Sequence, residues 1–374
     1  MPLVVMGEPQ TRRSVTEIFP ELAGGASARG STYWGREFQC SREVLLSNQL
    51  GWVPVQLSEA LDMGLMWHLM LERFYKARAA AQATMLDATV LGAFGCTNAA
   101  GYPDAREAFA RGLLDPTMYF TAGIEEATAA AFSVPDALQG HSDYDNDAWR
   151  GRLERMARSY IASSRFDRWE ILAVEREYAT SAENPQQGVT YTSRLDLVIR
   201  DYEIQHLPVI RNVEHKSATF DDPRSLKAWQ HNLQTWGQVW VMANALETHW
   251  PGERYAGNLV NITTKGGKVE WSKSTPQTTR VEVAPPWEGL LQWRASLMDK
   301  QREQLTLEAR GWPKNWALCN RPYGLCPYFD VCLTDVTRGI AEIGRPYEGA
   351  DYASGAPVGP YFEQRDVKHL PVIS

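Results

Sequence analysis

The chain has 374 residues, enough for one large domain or two with an ample core. Apolar residues make up 44% and charged residues 22%, ordinary proportions for a globular protein, and no apolar run reaches the roughly eighteen residues of a membrane-spanning helix. The net charge of −7 gives a nucleic-acid partner no support from composition, so any such contact must come from local patches.

The opening residues, Met1 to Glu8, have neither the basic stretch nor the apolar run of a signal peptide, so a cytoplasmic protein is expected. Residues 1–32 read as a weakly structured lead, with Gly24 to Gly30 as a flexible link. Residues 33–80 form an N-terminal helical part. One helix begins between Tyr33 and Leu46 and carries Cys40. A second follows Ser58, a natural N-cap with acids in the turn behind it. Leu61, Leu65, His68, Glu72 and Tyr75 recur at spacings of four and three, which predicts one inward-facing stripe. A lone His on such a stripe is more often a core residue than a ligand.

Residues 81–148 are Ala-rich and helical, then polar and broken from Gly140 to Asp147; no chemistry shows there, and they read as an insertion. Residues 149–310 carry the densest pattern. An amphipathic helix spans 149–164, with Arg152, Arg155 and Arg158 on a face that is more often simply solvated. Trp169 to Tyr178 predicts a strand holding Glu175. Thr192 to Arg200 and Pro208 to Ala218 predict two more strands, joined as a hairpin. From Asp222 one long helix is expected, projecting Gln230, Gln234 and Gln238 from one side. Leu259 to Trp271 predicts a hairpin turning at Gly266 and Gly267, and residues 286–310 are helical. Residues 311–334 hold a cysteine cluster, and 335–374 form a Gly- and Pro-rich tail expected to wrap the surface.

The chemistry concentrates on the hairpin. Side chains two apart on a strand share a face, so Glu214 and Lys216 project together with the His215 carbonyl between them. Alone, such a pair is as readily a salt bridge as a catalytic pair. Asp196 changes the balance, because it stands among Leu195, Leu197, Val198 and Ile199, where a carboxylate is costly to bury without a partner or a cation. Seventeen residues separate the two acids.

Of the five cysteines, Cys319, Cys326 and Cys332 crowd together, which in a cytosolic chain points to a metal rather than to disulfides. Gaps of six and five residues are wider than zinc sites use and suit a four-thiolate iron–sulfur cluster, with Cys40 or Cys96 as the fourth ligand.

Taken in order, Cys40, Gly64-x-x-x-His68, the Glu175 strand, Asp196, Glu214-x-Lys216, the Gln helix and the cysteine triplet resemble the PD-(D/E)XK nuclease superfamily from about residue 33 to 333. Within it the chain looks like the RecB-type branch with an iron–sulfur clasp, found in phage exonucleases and CRISPR adaptation nucleases. The resemblance implies an α/β fold with a mixed central β-sheet flanked by helices, restriction-endonuclease-like, its N- and C-terminal segments tied by the clasp. It implies Mg²⁺ or Mn²⁺ held by His68, Asp196, Glu214 and the His215 carbonyl, with Lys216 beside the metal and Gln234 placing water or phosphate. Glu175 is implied only behind the ligands or at a second metal. Lys216 is expected to titrate low once the acids are neutralised. Cys40, Cys319, Cys326 and Cys332 are implied as the [4Fe–4S] ligands, leaving Cys96 spare. Two departures stand out: six residues rather than two between Cys319 and Cys326, and Gln234-Thr-Trp-Gly-Gln238 where the family pattern ends in Tyr. The activity implied is a DNA exonuclease resecting duplex ends for recombination, repair or phage replication, alongside a recombination or single-strand-annealing protein. A CRISPR-type trimming nuclease and a catalytically silent DNA-end scaffold are the alternatives.

Overall fold

Period-two alternation and branched side chains give five strands: β1 (Trp169–Ala179), β2 (Thr192–Asp201), β3 (Val209–Ala218), β4 (Tyr255–Thr264) and β5 (Thr278–Val283). In the computed structural model they lie side by side in that order, antiparallel except for the parallel pair β3 and β4. Described are residues 15–24, 40, 52–54, 59–179, 191–203, 207–219, 223–266 and 275–310, with short pieces at 320–321, 324–326, 349–350, 357–358 and 362–364. A parallel pair needs a crossover. Here the chain leaves β3 through α7 (Pro223–Trp229) and α8 (Leu233–His249), then returns as β4. Strand β3 is buried from Val209 to His215, as a strand covered on both faces must be.

One helical layer contains α1 (Glu59–Met85), then, beyond three short helices α2 (Ala88–Ala93), α3 (Ala105–Ala110) and α4 (Pro116–Thr121), α5 (Ile124–Ala137) and α6 (Arg152–Ser164). Met63, Met66, Trp67, Met70 and Phe74 of α1 pack on Leu197, Ile199, Val213 and Leu259. Burying each such side chain contributes about 1.5–3 kcal/mol. On the other face Val239, Val241 and Met242 of α8 meet Leu195, Val198 and Ile210, backed by Leu290, Trp293 and Leu297 of α9 (Trp287–Ala309). The short helices α2, α3 and α4 start on the side chains of Asp87, Asp104 and Asp115, each accepting a backbone N–H of its first turn.

Three expectations are corrected. The buried stripe of α1 is the methionine, Trp67 and Phe74 row; Leu61 is 49% exposed, and His68 sits at the rim between core and solvent. Helix α1 is apolar nearly all round, so spacing identified a stripe without identifying the one that faces the core. The helix expected from Asp222 is two helices, because Asn232 interrupts it and caps α8 by accepting the Gln234 N–H at 2.8 Å. The partner of β4 begins at Thr278 rather than just after Gly267, and residues 267–274 lie outside the described part.

Near the ends, the short strand Trp52–Pro54 pairs antiparallel with Phe362–Gln364 and so joins N- and C-terminal segments through backbone hydrogen bonds. Cys40 and Cys326 are buried, and Cys96 is fully buried beside Leu91 and Ala108. Cys319, Cys332 and the helix expected from Tyr33 lie outside the described residues.

Candidate active site

The pairing of β1 with β2 fails where the acids stand. The ladder joins Val174 to Leu197 and Arg176 to Leu195, skipping the facing Glu175 and Asp196. Glu175 has φ 49°, the only positive value among described non-glycine residues. For a residue with a Cβ this costs on the order of 1–3 kcal/mol, a strain typical of functional sites. The irregularity also breaks alternation in β2: Leu195 packs in the α8 layer, and Leu197 in the α1 layer. Asp196, between them, is thereby turned toward α1.

Strands β2 and β3 also stop pairing at Leu197 and Val213. Beyond that point the Asp196 Oδ2 accepts the His215 backbone N–H at 2.7 Å, in place of the lost ladder bond. His68 Nδ1, reaching from α1, lies 3.3 Å from the same oxygen. His68, Glu175 and Asp196 each offer a ligand atom, and these atoms lie within 4.8 Å of one another. Arg194 Nε pairs with Glu175 Oε2 at 2.8 Å.

Glu214, on the α8 side of β3, is held differently. Its Oε1 accepts Gln234 Nε2 at 2.6 Å and pairs with the Lys216 ammonium. Its Oε2 accepts Gln238 Nε2, and the side-chain Oε1 of Gln238 in turn accepts Asn258 Nδ2 at 2.7 Å. On the opposite face the His215 ring stacks on Tyr75 at 5.6 Å and meets Tyr160 edge-on at 5.5 Å. The two faces of one strand therefore divide between chemistry and packing.

Electrostatics follow from three acids crowded in a largely enclosed site. Burial, then the Asp196 charge, push the Glu175 carboxyl up to about 8. The same two causes raise Glu214 against the pull of Lys216 and His68. Burial works against ionised Asp196 too, but His68 by charge and hydrogen bond, then His215 and Lys216, bring it below the usual carboxylate value. His68 is raised, because Asp196 outweighs burial. Lys216 is also raised, since Glu214 and Asp196 outweigh burial. Its expected fall would require a cation to take up the charge of those acids first.

The structure thus brings His68, Asp196, Glu214, Lys216 and Gln234 to one place. The expected ligand set was His68, Asp196, Glu214 and the His215 carbonyl, with Glu175 behind it or at a second metal. His68, Asp196 and Glu175 are the three groups that crowd together, and Glu214 beside them meets two amides and the lysine. Gln234 touches the acid rather than open space, and Gln230 is exposed in the turn before α8. Asn258 and the orienting contact of Gln238 were not read from sequence as parts of the site; the i, i+4 spacing of Gln234 and Gln238 was the available signal for the latter.

A family model of the PD-(D/E)XK nuclease superfamily matches residues 36–333. The chain belongs to this superfamily. No curated protein matches it. The order in the superfamily's name, an acid and then acid-x-Lys, is filled by Asp196 and by Glu214-His215-Lys216. The mixed five-stranded sheet with helices on both faces agrees with the restriction-endonuclease-like architecture expected of a PD-(D/E)XK chain. Membership points to a metal-dependent nuclease using Mg²⁺ or Mn²⁺ on DNA. The donors fit such an ion: carboxylate oxygens suit hard divalent cations, the imidazole favours Mn²⁺, and two acids held above their ordinary values mark a site short of positive charge. No described helix is long and apolar enough to cross a membrane.

Proposed function

We propose that the chain is a DNA exonuclease of the RecB-type branch, resecting duplex ends in recombination, repair or phage replication. The observation that carries the nuclease reading is the Glu214–Lys216 pair set beside His68, Asp196 and Glu175. Those three residues, with Glu214 and the His215 carbonyl alongside, would hold Mg²⁺ or Mn²⁺. A divalent ion there supplies Lewis-acid polarisation of the phosphate and activation of water. Lys216, fixed by Glu214, opposes the negative charge that builds on the phosphate as the bond breaks. Gln234 and Gln238 fix Glu214, and Asn258 fixes Gln238. The Asp196 bond to the His215 N–H locks the two acid-bearing strands in register.

Cys40, Cys319, Cys326 and Cys332 would hold a [4Fe–4S] cluster. Two observations support this: Cys40 and Cys326 are buried, and the matched span of 36–333 starts just before the first of the four and ends just after the last.

Digestion of end-labelled blunt, overhung and circular DNA with Mn²⁺ tests the activity. Linear substrates should shorten from an end while circles survive. Cleavage of circles would overturn the exonuclease reading, and inert DNA of every form would overturn the nuclease reading. Iron and sulfide near about four each per chain after anaerobic purification are expected for the cluster; zinc in their place would overturn it.

A further inference from the structure

The helices that supply Gln234 and Gln238 also carry tryptophans for which hydrolysis has no use. Trp229 ends α7, and its ring lies 5.7 Å from Lys216 Nζ. Trp236 stands in the first turn of α8. Both pack, partly buried, on the apolar cluster of Val260, Ile262, Val281 and Val283. The Trp236 ring lies against Gly289 of α9, where a Cβ would come within 3.2 Å of it. Just before that glycine, Trp287 is 51% exposed, yet stacked on Trp240 at 5.6 Å with planes 21° apart. Arg294 lies 5.6 Å over the Trp240 ring. Partly buried indoles thus lie beside Lys216 and on α8, and an exposed one lies on α9.

The rings sit on a fixed frame. Thr235 Oγ1 donates to the Trp229 carbonyl at 2.8 Å and to the Asn232 carbonyl at 2.9 Å, and Trp236 Nε1 donates to the Gln230 carbonyl at 2.6 Å. Charge favours an anionic partner. From Pro223 to Leu246 there is no acid, in a chain of net charge −7, and Lys227 in that stretch is exposed. Glu288 is the one acid in the first turn of α9. Aromatic rings that reach the surface beside cationic groups are what unpaired bases bind, whereas a duplex keeps its base faces stacked inside.

We propose that Trp229, Trp236 and Trp287 form a stacking track for the unpaired bases of a single strand that leads away from Lys216. The proposal rests on the nuclease reading, and names a single-stranded segment as part of the substrate.

The test is binding of a fluorescent oligothymidylate, measured by anisotropy with EDTA present, so that cleavage plays no part. An abasic strand of equal length and a duplex serve as comparisons. The native protein should prefer the thymidylate to both. Trp287→Leu, which keeps apolar bulk but loses the ring, should weaken thymidylate binding about tenfold, and Trp287→Tyr should restore most of it. Equal binding of abasic and thymidylate strands would overturn the track. So would a Leu variant that binds like the native chain, or a Tyr variant as weak as Leu with both melting normally. Because no catalytic metal is present, a protein that binds strands but never cuts them would fail as a nuclease while keeping the track.

Discussion

Asp196 and Glu214 stand on neighbouring strands in one buried site, yet their surroundings differ. Glu214 is surrounded by donors: the Lys216 ammonium, two glutamine amides, and behind one of those the Asn258 amide. Asp196 faces a second acid on a strained backbone, with His68 as its near partner. Hydrogen bonds orient Glu214 before any substrate arrives. The Asp196 half instead holds unfavourable charge that only a proton or a metal ion relieves. Preorganised donors and a charge-hungry pocket are complementary requirements for cleaving a phosphodiester.

Breaking either half should have the largest effects. Asp196→Asn keeps the shape but weakens the charge in the metal pocket, and Lys216→Ala removes the ammonium. Each is expected to lower single-turnover cleavage with Mn²⁺ by about 10²–10³-fold, the worth of one well-placed charge stabiliser. The melting temperature should change little for Lys216→Ala, whose side chain is partly exposed. Near-native cleavage by either variant would remove it from the site.

His68→Ala should be milder, about tenfold to a hundredfold, because two carboxylates remain to hold the ion. Excess Mn²⁺ should recover part of the loss. If His68 merely packs, the variant will lose stability and ignore metal concentration.

Much of this contrast was legible in the sequence. Asp196 among branched residues, and Glu214 with Lys216 on one face, follow from strand periodicity alone. The strands themselves follow from hydrophobic runs separated by helical ones, whereas their arrangement in a mixed sheet was implied by the family resemblance. Glu175 was not legible as a near neighbour of Asp196, because its position depends on a left-handed backbone and on a lapse in pairing that leave no trace in residue type. The break at Asn232 was missed since the apolar pattern continues across it, although Asn is a good cap. The buried face of α1 was missed because sulfur-containing and aromatic residues surround the helix, and only tertiary packing selects among them.

Glu175 gives a pH-dependent form of the comparison. Its carboxyl moves from 4.5 to about 8 on folding, so between those values the native state binds more protons than the unfolded chain. Stability from this group must therefore fall as pH rises from about 4.5 to 8, by up to a few kcal/mol if the full shift is expressed, at about 1.4 kcal/mol per unit. Thermal melts in EDTA should show the decline. Mn²⁺ should offset it most at the alkaline end, and Glu175→Gln should flatten it. A native profile identical to that of Glu175→Gln would show that the acid is not under charge stress.

The smallest effect sharpens the other half. Gln238 is fully buried and links Glu214 to Asn258. Gln238→Leu keeps the volume, removes one donor from Glu214, and leaves the Asn258 amide unpaired in the interior. An unsatisfied buried group of this kind costs about 1–3 kcal/mol of stability. Cleavage should fall only about tenfold, because Gln234 and Lys216 still hold the carboxylate's other oxygen. Gln234→Leu, at the more open start of α8, should cost less stability for a similar loss of rate. The double variant should then lose more than the product of the two single effects, since Glu214 would keep only the lysine. Independent, multiplicative losses would mean that the two amides act through something other than the carboxylate they share, and the orientation attributed to them would fall.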